Sequence, residues 1–158
     1  MQSFNQIKAF HLINNRIATA GQPSMHELET LADAGFQVVI NLGLHDADYA
    51  IENEQSWVEQ LGMRYIHLPV EFQQPKTSDF THFLNILNIQ QDKKVFIHCA
   101  ENKRVSIFIA LYLVLTEQVS QIDGWNLILE IWEPNLVWES YYYESLNRFY
   151  QIKYEVVS

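Results

Sequence analysis

The chain has 158 residues, 48% hydrophobic and 18% charged, with a formal net charge of −9. That balance suits one globular domain over residues 1–158 with a full core, and excludes a disordered or collagen-like polymer. The negative charge argues against nucleic acid or an anionic membrane surface as partner.

The one cysteine, Cys99, rules out an internal disulfide, so packing must supply stability and a reducing, cytoplasmic location is expected. Residues 1–20 include Asn5, Gln6, Lys8, His11, Asn14, Asn15 and Arg16 without a continuous apolar stretch, and do not read as a signal peptide. The longest apolar run, residues 105–115, contains Ser106 and is too short to span a bilayer.

In chain order, strand and helix signals alternate. Ser24 with Glu27 three residues later forms a capping box and opens a helix through Leu28, Leu31 and Ala32 that should stop at Gly35. Residues 36–42 (Phe-Gln-Val-Val-Ile-Asn-Leu) read as a buried strand. Residues 52–61 read as a helix with Ile51, Trp57, Val58 and Leu61 on one face, closed by Gly62. A strand is expected over residues 64–70, then a helix capped by Thr77 or Ser78 and carrying Phe80, Phe83, Leu84 and Leu87. Residues 94–98 form the central strand. The remainder is predicted helical: 105–116, 120–132 behind a Ser120/Asp123 cap, and about 135–154 after Pro134. Strands separated by helices imply an α/β fold, a mostly parallel sheet of four to five strands flanked by helices, with ligands at the carboxyl ends of the strands.

Cys99 stands at such an end, after Val95-Phe96-Ile97-His98 and before Ala100-Glu101-Asn102-Lys103-Arg104. A strand that runs through a short loop into a helix aims several backbone N–H groups and the positive end of the helix dipole at one spot. A thiolate or a phosphate is stabilised there, and a cysteine so placed should ionise readily. Residues 105–115 are apolar almost all round, so the helix they form should be buried and hold the loop rigid. Four of the ten basic residues, Lys93, Lys94, Lys103 and Arg104, fall close to Cys99, although Lys93 and Lys94 can equally solvate the start of a strand.

His98-Cys99, a short loop, a basic residue and Ser106 resemble the signature of cysteine-dependent phosphatases of the tyrosine and dual-specificity class. Residues 18–24 (Ala-Thr-Ala-Gly-Gln-Pro-Ser), 35–42 and 67–70 (His-Leu-Pro-Val) resemble the bacterial group described as beta-lactamase hydrolase-like, phosphatase-like proteins. The resemblance covers roughly residues 16–116. It implies a dual-specificity-phosphatase-like fold and attack on phosphorus by the Cys99 thiolate. The backbone of Ala100, Glu101, Asn102, Lys103, Arg104 and Val105 would cradle the phosphoryl oxygens, Arg104 would clamp them, Ser106 would assist departure of the thiolate, and His98 would support the loop. A carboxyl would protonate the leaving oxygen. It implies no cofactor and no metal.

The chain departs from that pattern twice. The family separates cysteine from arginine by five residues, whereas four separate Cys99 from Arg104, and Val105 holds the expected position. Two registers follow: one keeps Ser106 aligned and turns Arg104 away by about 100°, the other shortens the loop and returns Arg104 to the clamp. Phe72 falls where similar phosphatases carry aspartate, leaving Glu71 and Asp79 as available acids, although Asp79 also suits the first turn of a helix.

Two functions from different classes are therefore open: a phosphatase cleaving a phosphate monoester through a phosphocysteine, and a weakened relative that binds a phosphorylated or anionic ligand without turnover. A redox-sensing thiol ranks below both, since no second cysteine exists to resolve it. The partner expected is a phosphorylated small molecule or a phosphoprotein. His45-Asp46-Ala47-Asp48 reads as a solvated loop ahead of a metal site, and His11, His26, His67 and His82 share no spacing. The aromatic segment from Trp125 to Tyr154 reads mainly as core packing, with a homodimer through these helices as a further possibility.

Overall fold

The computed structural model describes residues 4–157, with side chains through residue 151. Residues 1–3 and 158 of the single-domain reading, and the side chain of Tyr154, lie outside that description. The element order is β1 (His11–Leu12), β2 (Ile17–Ala20), α1 (Met25–Asp33), β3 (Val38–Asn41), α2 (Glu54–Gln60), β4 (Arg64–His67), α3 (Thr77–Ile89), β5 (Val95–His98), α4 (Lys103–Leu115), α5 (Gln121–Leu129) and α6 (Leu136–Val157). The strands form one sheet in the order β1-β2-β5-β3-β4, with β1 antiparallel to β2 and every other pairing parallel.

Local chemistry accounts for most boundaries. Ser24 accepts from the Glu27 N–H while the Glu27 carboxylate accepts from the Ser24 N–H, and α1 ends before Gly35, whose φ of +93° suits a residue without Cβ. Ser120 caps α5 by accepting from the Asp123 N–H. Helix α3 departs from the expectation: Lys76, not Thr77 or Ser78, is its N-cap, and the Asp79 carboxylate accepts from the Lys76 N–H at 2.8 Å. Strands β1 and β2 carry no strong sequence signal, since β2 is four residues of Ile-Ala-Thr-Ala that become a strand only by pairing with β5.

The register aligns the strand ends. Ala20 and Asn41 both pair with His98, and Asn41 pairs with His67, so four carboxyl ends lie in one row. The period of two then divides the core. Ile17, Val38, Ile40, Val95 and Ile97 face α3, α4 and α6, while Ala18, Val39, Tyr65 and Phe96 face α1 and α2. Both faces are covered, which explains why β3 and β5 read as continuous apolar runs.

Helix α4 is buried on every side from Arg104 to Val114. Phe108, fully buried, meets the rings of Phe80, Phe83, Trp138 and Tyr141 within 6.1 Å between centroids. The aromatic residues of α6 therefore serve the core as expected: Trp138, Tyr141, Tyr142 and Leu146 are buried, and Tyr143 is exposed. No helix among the described residues is long and apolar enough to cross a membrane. Phe108→Ala should lower unfolding stability by about 3–5 kcal/mol, because the surrounding rings cannot close the space left behind; urea denaturation checks this, and a loss under 1 kcal/mol would contradict it.

Candidate active site

Strand β5 delivers Cys99 to the carboxyl end of the sheet, and only residues 100–102 separate it from α4. Asn102 makes this tight connection in the left-handed region, with φ 66° and ψ 3°, a conformation that Asn tolerates better than most residues. Its side-chain amide donates to Ala9 O and to Thr19 Oγ1, fixing the loop to the chain on its outer side. The first helical bond runs from Ser106 N–H to Asn102 O, so the amides of Lys103, Arg104 and Val105 have no helical acceptor.

A cavity of about 230 Å³ opens beside this loop, lined by Tyr49, Phe72, Cys99, Ala100, Glu101, Lys103 and Arg104. Cys99 exposes none of its own surface (0%) and borders the cavity from beneath its neighbours. Arg104 is the second residue of α4 and reaches the same cavity. Its Nη1 donates to Val70 O at 2.8 Å and its Nη2 to the Tyr49 hydroxyl at 3.3 Å. A guanidinium has five donor hydrogens, so these two bonds orient the group and leave others for an anion. Val105 turns instead into the core with no exposed surface and does not line the cavity. Arg104, and not Val105, is therefore the residue that reaches the cavity.

Other predicted residues are placed elsewhere. The Ser106 hydroxyl donates to Lys103 O and accepts from Trp132 Nε1, and Ser106 does not line the cavity. Ser106 stands two positions after Arg104, about 200° further round α4, and so points away from the cavity that Arg104 reaches. Asp79 caps α3 and Glu71 is exposed; neither lines the cavity. Phe72 does, braced by Trp132 and Trp138. The carboxylate among the lining residues is Glu101, ion-paired with Lys103 at 3.3 Å and Lys8 at 3.8 Å. Lys94 lies at the opposite end of β5, where its ammonium donates to Ala34 O. Among the described residues no group of three or more His, Cys, Asp or Glu side chains is arranged to hold a metal ion.

Sequence reasoning missed Tyr49, Gly21, Gln22 and Glu54, whose roles arise from contacts between distant segments. A Cβ on Gly21 would lie 2.6 Å from Ala100 O, so that glycine allows the cradle loop to lie against β2. Parity sends His98 to the face opposite Cys99, where its Nε2 meets Glu54 Oε2 at 2.7 Å. Burial pushes the Glu54 carboxyl upward, but the bonds from His98 and Gln22 outweigh it and hold the group below its ordinary value. Nearby, His45 stacks on His67 at 3.6 Å between centroids and bonds the Tyr65 hydroxyl, while Asn41 donates to the same hydroxyl. Burial lowers the His67 pKa and raises that of Tyr65.

Residues 3–131 match the family model for the DSP-PTPase phosphatase fused to NAD+ kinase. The chain belongs to that family. This DSP-PTPase chain is similar to a Shewanella putrefaciens CN-32 protein of the DUF442 group, at 27% identity and TM-score 0.83, covering 92% of this chain and 95% of that one. Tk-PTP in its active form aligns with TM-score 0.70 at 22% identity over 89% of this chain and 95% of its own. P. aeruginosa TpbA in complex with pTyr aligns with TM-score 0.66 at 14% identity over 81% and 76%. These last two show the shared dual-specificity-phosphatase-like fold. No curated protein matches the chain.

Two outcomes are expected of this DSP-PTPase site. Gly21→Ala should cost about 1–3 kcal/mol, since the new methyl meets backbone that cannot move aside freely; urea titration reads the loss, and an unchanged midpoint would contradict the packing. Both shifted groups also predict acid sensitivity. Glu54 and His67 are held below their ordinary values of 4.5 and 6.5, so in acid the unfolded chain binds more protons than the native one. The contribution of His67 should fade as pH falls below 6.5 and that of Glu54 as it falls below 4.5. The melting temperature should therefore decrease stepwise on acidification, and a flat profile would contradict the assignment.

Proposed function

We propose that this chain hydrolyses a phosphate monoester, with Cys99 as nucleophile and Arg104 as the clamp on the phosphoryl oxygens. The observation that carries this reading is that sulfur-bearing Cys99 and the Arg104 guanidinium line one cavity at the N-terminus of α4. The thiolate would form an S–P bond as the ester P–O bond breaks, and the leaving oxygen would take a proton from solvent water. Water would then cleave the S–P bond, releasing phosphate and the thiolate. The free amides at the start of α4 and the remaining arginine donors suit the charge that develops on the equatorial oxygens. The solved TpbA complex holds pTyr, which supports a phosphorylated partner here, whether small molecule or phosphoprotein.

The acid is the weak point of the arrangement. Neither Glu71 nor Asp79 lines the cavity, and Glu101 is ion-paired. The reading therefore predicts a strong preference for leaving groups that need little protonation. Aryl phosphates should turn over and alkyl phosphates should lag by about 10²–10⁴, the usual worth of general acid catalysis. Cys99→Ser should abolish the vanadate-sensitive activity, and Arg104→Lys should lower kcat/KM by roughly 10²–10³, since an ammonium cannot replace a planar fork.

The same displacement of Glu71 and Asp79 favours the second reading, an anion-binding protein without turnover. Steady-state assays at high enzyme concentration together with calorimetric titration of vanadate separate the two. Vanadate binding without hydrolysis of any aryl phosphate supports the second reading and removes the first. Absence of both overturns both.

A further inference from the structure

Two successive carbonyl oxygens of the cradle loop are held from the side of α1 and α2. His98 Nδ1 lies 3.3 Å from Cys99 O, and the Gln22 main-chain N–H donates to Ala100 O at 3.0 Å. In a trans peptide the carbonyl and the following N–H point in opposite directions. The N–H groups of Ala100 and Glu101, both cavity-lining residues, therefore face away from His98 and Gln22. The side chains of these two holders end on one carboxylate. Glu54 Oε2 lies 2.7 Å from His98 Nε2, and Glu54 Oε1 accepts from Gln22 Nε2 at 2.7 Å. Glu54 opens α2 and is buried, as is His98.

A carboxylate only accepts, so His98 Nε2 carries a hydrogen; a carbonyl only accepts, so Nδ1 carries one as well when it bonds Cys99 O. A histidine with hydrogens on both nitrogens is an imidazolium. Glu54 is the anion that faces it from α2; His45 and His67 from the β3 and β4 side add no negative charge, and Phe96 borders the ring within the strand.

We propose that Glu54 is a positioning residue: its carboxylate keeps His98 as an imidazolium and anchors Gln22, and so sets the direction of the cradle amides and the positive charge behind Cys99. The charge favours the thiolate. Without it His98 keeps one ring hydrogen, turning a lone pair toward either Cys99 O or residue 54. The link to turnover rests on the proposed role of Cys99, whereas the protonation of His98 and the ionisation of Cys99 do not.

The test follows alkylation by iodoacetamide as a function of pH, which reports on one residue because Cys99 is the single cysteine. Folded E54Q should show a midpoint about one pH unit higher than the native chain, roughly a tenfold lower rate on the acidic limb. E59Q, altered on the exposed face of α2, should overlay the native profile. Nitrogen-15 NMR at neutral pH should show two ring protons on His98 in the native chain and one in E54Q. A native-like alkylation profile in folded E54Q, or a singly protonated His98 in the native chain, overturns the proposal. If E54Q does not fold, the native His98 signal alone decides. A chain that hydrolyses no phosphate but gives these results retains this assignment and loses the proposed reaction.

Discussion

Burial of α4 on every side is the constraint from which the site follows. A helix packed against α3, α5, α6 and the sheet cannot tilt without opening the core, so its first turn has one position. The four-residue connection from β5 then has little choice of path, and Asn102 takes the left-handed conformation that this path demands. Arg104 and Val105 divide the consequences: the first reaches the cavity and the second fills the core.

The two faces of the sheet contribute differently. The side of α3, α4 and α6 supplies rigidity and the arginine, and through the Trp138 and Tyr141 hydrogen bonds it fixes the segment after β4. The side of α1 and α2 supplies polar groups that are almost wholly internal: Glu54, His98, Asn41 and the Tyr65 hydroxyl. Buried polar groups are tolerated only when they are bonded, and these are. One strand, β5, serves both faces because adjacent residues point opposite ways, giving His98 to the first network and Cys99 to the second.

Much of this was legible in the sequence. Capping residues Ser24 and Ser120, the almost wholly apolar run at 105–115 and the position of Cys99 after a buried strand depend on local chemistry, and local chemistry places them correctly. Strand β2 was not legible, because four small or β-branched residues acquire a conformation only from their neighbour. The path of the cradle loop depended on whether Arg104 or Val105 faced the core, which α4 packing decides and residue spacing does not. Glu54 reads from sequence as one acid on a helix; its two partners, Gln22 and His98, are 32 and 44 positions away.

The segment after β4 is tied at three points: Arg104 holds Val70, Trp138 holds Phe72, and Tyr141 holds Lys76. These three bonds fasten the wall to α4 and α6. Under the proposed function, a phosphorylated molecule would meet a wall whose outline is already set, and little ordering entropy would be lost as the recess fills. A recess of that kind would sort molecules by size at the threshold, where a hinged one would sort them after closing.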